Sequence, residues 1–98
     1  MSHYYTRQGQ PIDMLTWARL FEDPEYKIIE QTQITEEVRV STVWLGLNHN
    51  WFPGELRIFE TMVFGGEHDL WQARYATEEA AREGHADTVG WLTAPRSD

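Results

Sequence analysis

The chain has no cysteine, little basic charge and no long apolar run. Without cysteine there can be no disulfide, no thiolate nucleophile and no Cys-ligated zinc. A membrane span needs an apolar stretch of roughly 18 residues, and none is present. The start, Met1-Ser-His-Tyr-Tyr-Thr-Arg7, is too polar for a signal peptide, so the expectation is a soluble cytoplasmic chain with no membrane partner. Against 16 Asp and Glu stand only 8 Lys and Arg, giving a net charge of −8. Such a chain repels phosphates, which argues against direct nucleic-acid binding and leaves an acidic DNA mimic as one reading of the charge.

Aromatic residues are plentiful: 5 Trp, 4 Tyr and 4 Phe in 98 residues. Large aromatics bury much area each, so they fill the core of a chain of one-domain size and also anchor interfaces. Residues 1–98 read as a single domain, with an extended lead-in over 1–12, interrupted by Gly9 and Pro11, and a frayed tail over 93–98. Asp13 can cap a helix over about 13–22, in which Met14, Trp17, Ala18 and Phe21 share one face; Asp23-Pro24 stops it. A strand follows over Tyr26–Ile34, then a turn at Thr35-Glu36-Glu37 and the strongest strand, Val38–Leu47. After an irregular loop over 48–55, Arg57–Phe64 and Leu70–Ala76 form a hairpin across Gly65-Gly66-Glu67-His68-Asp69. Thr77 caps a second helix to about Leu92, with Glu78 and Glu79 at the positive end of its dipole. The expected architecture is α+β, a four-stranded antiparallel meander with an N-terminal and a C-terminal helix in the order α-β-β-β-β-α.

Centring the hairpin loop on Glu67 pairs Thr61 with Ala73 and Phe59 with Tyr75 on one face, and Met62 with Gln72 and Glu60 with Arg74 on the other. Centring the 48–55 loop near Phe52 pairs Leu45 with Phe59 and Val43 with Thr61. On that register the core face holds Val43, Leu45, Leu47, Phe59, Val63, Trp71 and Tyr75. The opposite face holds Val40, Thr42, Trp44, Ile58, Glu60, Met62, Phe64, Gln72 and Arg74, too apolar for a simply solvated face. A helix or a second protein should cover it.

Few residues offer chemistry. Asn48 and His49 lie in a loop with Trp51 and Phe52, where polar groups beside aromatics can form a ligand or peptide pocket; loop packing, with the aromatics folded back onto the sheet edge, is the simpler account. His85 points from the second helix towards the sheet, either as a buried histidine bonded to Thr61 or a backbone carbonyl, or as a ligand-binding one. Glu60 is a general base only if buried, and Arg74 across the strand would hold it ionised. The histidines are spread over separate loops and a helix with no ligand spacing, so no metal and no cofactor are expected. Ser41 has no His and acid partners, and Gly65-Gly66 is a hairpin turn rather than a phosphate loop.

The block Ser41-Thr-Val-Trp-Leu-Gly-Leu-Asn-His49, then Ile58-Phe-Glu-Thr-Met-Val-Phe-Gly-Gly66, then Ala73-Arg-Tyr-Ala-Thr-Glu-Glu-Ala-Ala-Arg-Glu-Gly-His85 resembles a widespread family of small, uncharacterised bacteriophage and prophage proteins. The resemblance spans roughly Tyr4 to Val89, and Asn48 stands where relatives often have Asp. It implies no activity. It does imply a setting, in which a small acidic phage protein works through contacts with a host or phage protein. The expected function is therefore a non-enzymatic accessory protein that inhibits or redirects a host or defence protein. Its expected contact residues are Trp44, Met62 and Phe64 on the apolar face or Trp51 and Phe52 in the loop, surfaces that also suit a homodimer. The alternative is a binder of a small molecule or nucleotide derivative, or a minor enzyme, using Asn48, His49, Glu60 and His85.

Overall fold

A computed structural model describes residues 3–47 and 56–94. The 1–12 segment expected as an irregular lead-in instead folds on itself: β1 (Tyr4–Tyr5) pairs antiparallel with β2 (Pro11–Ile12), and Gly9, at φ +81, helps the chain turn between them. The ribbon is tied down at several points. Tyr5 N–H donates to the Gly46 carbonyl at 2.9 Å, and the Arg7 guanidinium pairs with Glu78 at 2.7 Å.

Helix α1 (Met14–Phe21) begins where Asp13 accepts from Thr16 N–H at 2.7 Å. Its half-buried side, formed by Trp17, Leu20 and Phe21, packs against the core, whereas Met14 and Leu15 are exposed. A second short helix, α2 (Pro24–Lys27), occupies the start of the expected first strand, because Asp23 caps it and Pro24 has the fixed φ suited to a first helical position. The described order is therefore β-β-α-α-β-β-β-β-α, an α+β architecture with two more strands and one more helix than the pattern read from sequence.

The main sheet runs β3 (Ile28–Gln33), β4 (Arg39–Trp44), β5 (Phe59–Phe64), β6 (Gln72–Tyr75), each antiparallel to its neighbour. The β5–β6 register pairs Phe59 with Tyr75, Glu60 with Arg74, Thr61 with Ala73 and Met62 with Gln72, as the loop length required. The β4–β5 register differs from expectation by one residue. Trp44, not Leu45, opposes Phe59, and Thr42 opposes Thr61. Because side chains alternate, that slip exchanges the two faces of β4. Trp44 is therefore fully buried, contrary to its expected place on a contact surface. Its indole N–H donates to the Tyr5 carbonyl at 3.0 Å, and its ring meets Tyr26 edge-on at 4.9 Å.

Helix α3 (Glu78–Thr93) covers the face carrying Val40, Thr42, Trp44, Phe59, Thr61 and Val63. Thr77 caps it through Ala80 N–H. It meets the sheet with Ala81, Gly84, His85 and Thr88, the i, i+3, i+4, i+7 face made of small and polar residues. Small residues allow a close approach, and the Tyr75 ring lies directly against the Gly84 backbone.

The two hairpin ends also touch. Gly65 is at φ +88, and a Cβ there would run into the Glu37 carbonyl of the β3–β4 turn. Gly9 has a similar φ of +81 but open space around it. Gly9→Ala should cost only the left-handed backbone penalty of about 1–2 kcal/mol. Gly65→Ala should cost clearly more, because the turns must also separate. Urea melts of the two variants check this, and equal losses would mean that the turns do not press together.

Candidate binding face

Opposite α3, no described helix or strand lies over the sheet. This second face is built by alternation from Gln31 and Gln33 of β3, Arg39, Ser41 and Val43 of β4, Glu60, Met62 and Phe64 of β5, and Gln72 and Arg74 of β6. Helices α1 and α2 reach it only at one corner, where Lys27 Nζ stands 3.7 Å above the Phe21 ring centroid.

Val43, Met62 and Phe64 form its half-buried apolar strip. Polar groups frame the strip in fixed pairs. The Arg39 guanidinium lies over the Phe64 ring at 5.0 Å, and Gln31 donates to the Ser41 hydroxyl at 3.1 Å. Arg74 Nε donates to Glu60 Oε2 at 3.1 Å, with the Glu60 side chain only 12% exposed. Between these groups lies a concavity of about 270 Å³ lined by Lys27, Ser41, Val43, Leu45, Glu60, Met62 and Phe64. A neighbouring one of about 370 Å³ shares Lys27 and Val43 with it.

Four residues singled out in the sequence, Glu60, Met62, Phe64 and Arg74, thus share one face. Trp44 lies on the opposite side of the sheet. Asn48, His49, Trp51 and Phe52 fall outside the described residues.

His85 is buried under α3 rather than on this second face. Its Nδ1 lies 2.7 Å from the Thr42 hydroxyl, which lies 2.5 Å from that of Thr61, and its Nε2 lies 2.8 Å from the Thr32 hydroxyl. A neutral imidazole has one donor and one acceptor nitrogen, which suits hydroxyls that can play either role. Burial holds its pKa below the ordinary value near 6.5, opposed by Glu30 and reinforced by Arg82. Burial likewise raises the Tyr75 phenol, against a hydrogen bond from Thr61. Thr61 was the expected partner of His85; Thr42 stands between them because of the register of β4.

Glu60 has its carboxylate engaged by Arg74, and among the described residues no histidine stands on this face. Among the described residues no group of three His, Asp or Glu side chains is placed to hold a metal ion, and no helix is long and apolar enough to cross a membrane.

Sequence reasoning missed a second exposed region. Trp71, expected in the core, is 38% exposed, and Trp91 is 44% exposed. Trp71 lies one residue before β6, where the pleat no longer decides which way a side chain points. The usable signal was its place beside the Gly-rich turn.

The fold and the face define an α+β protein with one side of its sheet packed by a helix and the other presented by the described residues. Comparison with protein-family models, with curated proteins and with solved structures gives no match in any of the three.

Proposed function

We propose that this chain is a non-enzymatic binding protein that holds a partner protein on the open face of its sheet. The supporting observation is the strip Val43, Met62 and Phe64, lying on the face that no described element covers and framed by the fixed Glu60–Arg74 and Arg39–Phe64 pairs. An apolar centre with a polar rim is the usual anatomy of a protein interface. The pre-paired charges orient a partner without leaving a lone buried charge when water is expelled. The resemblance of the central block to small phage and prophage proteins makes a host or phage protein the partner to seek, and inhibition or redirection of a host or defence protein the consequence.

Met62→Glu places a charge in the middle of the strip. Tagged wild-type protein should retain a stoichiometric partner from host lysate, and the variant should bind that partner at least about 30-fold more weakly, the scale of a central interface residue. Its thermal melt should stay close to wild type. Undiminished capture by a folded Met62→Glu protein would exclude this face. A dimer mass by light scattering, abolished by the same substitution, would instead make a second copy the occupant.

A further inference from the structure

The open sheet face holds two cations that no carboxylate engages among the described residues. Lys27, half-buried at the end of α2, lines both concavities, and its Nζ stands over the Phe21 ring. Arg39, exposed at the start of β4, lies over the Phe64 ring. By contrast, Arg7, Arg74 and Arg82 are each paired with a carboxylate. A ring offsets part of the cost of taking a cation out of water but leaves its N–H donors open to an acceptor.

The apolar strip runs between these two cations. Val43 is four positions on from Arg39 and pairs with Ile28, next to Lys27, while Arg39 pairs with Phe64. At the rise of a strand this sets Arg39 roughly 13 Å from the Val43 end, where Lys27 stands. The carboxylates already near the face do not engage either cation. Glu60 is held by Arg74, and Glu22 is exposed at the rim of the second concavity. Beyond Arg39 the turns carry exposed Glu36, Glu37, Glu67 and Asp69, which would repel a long acidic run laid past the end of the sheet.

These charges limit what can cover the face. A purely apolar partner would strip water from both cations and give them no acceptor in return. A second copy laid strand on strand brings Lys27 and Arg39 against Lys27 and Arg39 in either direction. We infer that the face takes an extended segment of a partner protein with one acidic residue on each side of an apolar one, spaced as Glu-x-Leu-x-Glu. The inference rests on the binding role proposed for this face and names the chemistry of its partner. In an extended chain, residues i and i+4 lie on the same side about 13 Å apart, with i+2 between them. The two carboxylates then accept from Lys27 and Arg39, and the leucine meets Met62 in the concavity.

The test is a titration of the full chain, labelled at its methionine methyls, with acetyl-Ser-Glu-Thr-Leu-Thr-Glu-Ser-amide. A second titration uses the same peptide with both Glu replaced by Gln. The Met62 methyl signal should move in NMR spectra, and that of exposed Met14 on α1 should not. The acidic peptide should bind about ten-fold more tightly than the Gln peptide, an advantage that shrinks as salt rises. Lys27→Gln and Arg39→Gln should each cut that ratio to about three-fold while melting close to wild type, and the double variant should abolish it. Equal binding of the two peptides, or no Met62 shift with either, would overturn the inference. So would a dimer mass abolished by Met62→Glu, since a second copy would then fill the face. Lysate capture separates failure of this inference from failure of the face. A partner lost on Met62→Glu but held undiminished by the double variant would keep the face and refute its acidic partner.

Discussion

Trp44→Ala should unfold this protein before it affects any interface. Its indole is fully buried against Tyr26 and Phe21, beside Phe59 across the strand, and its N–H satisfies the Tyr5 carbonyl. Truncating a buried tryptophan costs about 3–5 kcal/mol through lost transfer energy and the cavity left behind. A domain of this size has about 5–15 kcal/mol in all, so the variant should lose much of its stability, with a melting temperature lower by 15 °C or more. Denaturant melts decide the point. A folded Trp44→Ala protein with nearly wild-type stability would show that the β4 register is wrong and that Trp44 faces outward.

His85→Leu should be the other severe substitution. It removes both ring nitrogens from the hydroxyls of Thr32 and Thr42; Thr42 keeps Thr61, whereas half-buried Thr32 loses its ring partner, and an unsatisfied buried group costs about 1–3 kcal/mol. The wild-type histidine also sets a pH dependence whose sign is fixed by its burial. Folded, its pKa lies below 6.5, while in the unfolded chain it takes the ordinary value. Between those two values the unfolded chain binds more protons than the native one, so stability rises with pH. The contribution of neutral His85 is complete above about pH 6.5 and is lost as pH falls through the folded pKa, at no more than about 1.4 kcal/mol per pH unit. Glu30 on β3 and Arg82 on α3 are the charged groups facing the ring, and they act in opposite directions. His85→Gln should remove this slope below pH 6.5. A second loss should follow at lower pH in both proteins. There Glu78, which burial raises but Arg7 and Arg82 hold below its usual range, and Asp13, bonded to Thr16, become protonated. An unchanged slope in His85→Gln would assign the upper transition to another group.

How much of this was legible in advance follows from the range of each interaction. The caps Asp13 and Thr77, the stop at Asp23-Pro24 and the β5–β6 register are set by a few neighbouring residues, and their positions could be read from the chain. The ribbon of β1 and β2 could not, because two-residue strands carry no pattern and are held by partners far along the chain, such as Glu78 for Arg7. Glu60, Met62, Phe64 and Arg74 could be grouped because a tight hairpin fixes their parity.

The sequence by itself determined the class of fold, the ends of the two main helices and the alternation along β4, β5 and β6. Only the tertiary structure decided which side of β4 is core. Both of its faces are apolar enough to be buried, Val40, Thr42 and Trp44 on one and Val43 then Leu45 on the other, so period-two alternation gives no preference. The connection between β4 and β5 is too long for turn geometry to choose. What distinguishes the two registers is polar satisfaction across the layers. Only with Thr42 turned inward does His85 from α3 find hydroxyls on two strands, and only with Trp44 inward does its N–H meet Tyr5. Those contacts join residues up to 53 positions apart, and no local pattern encodes them.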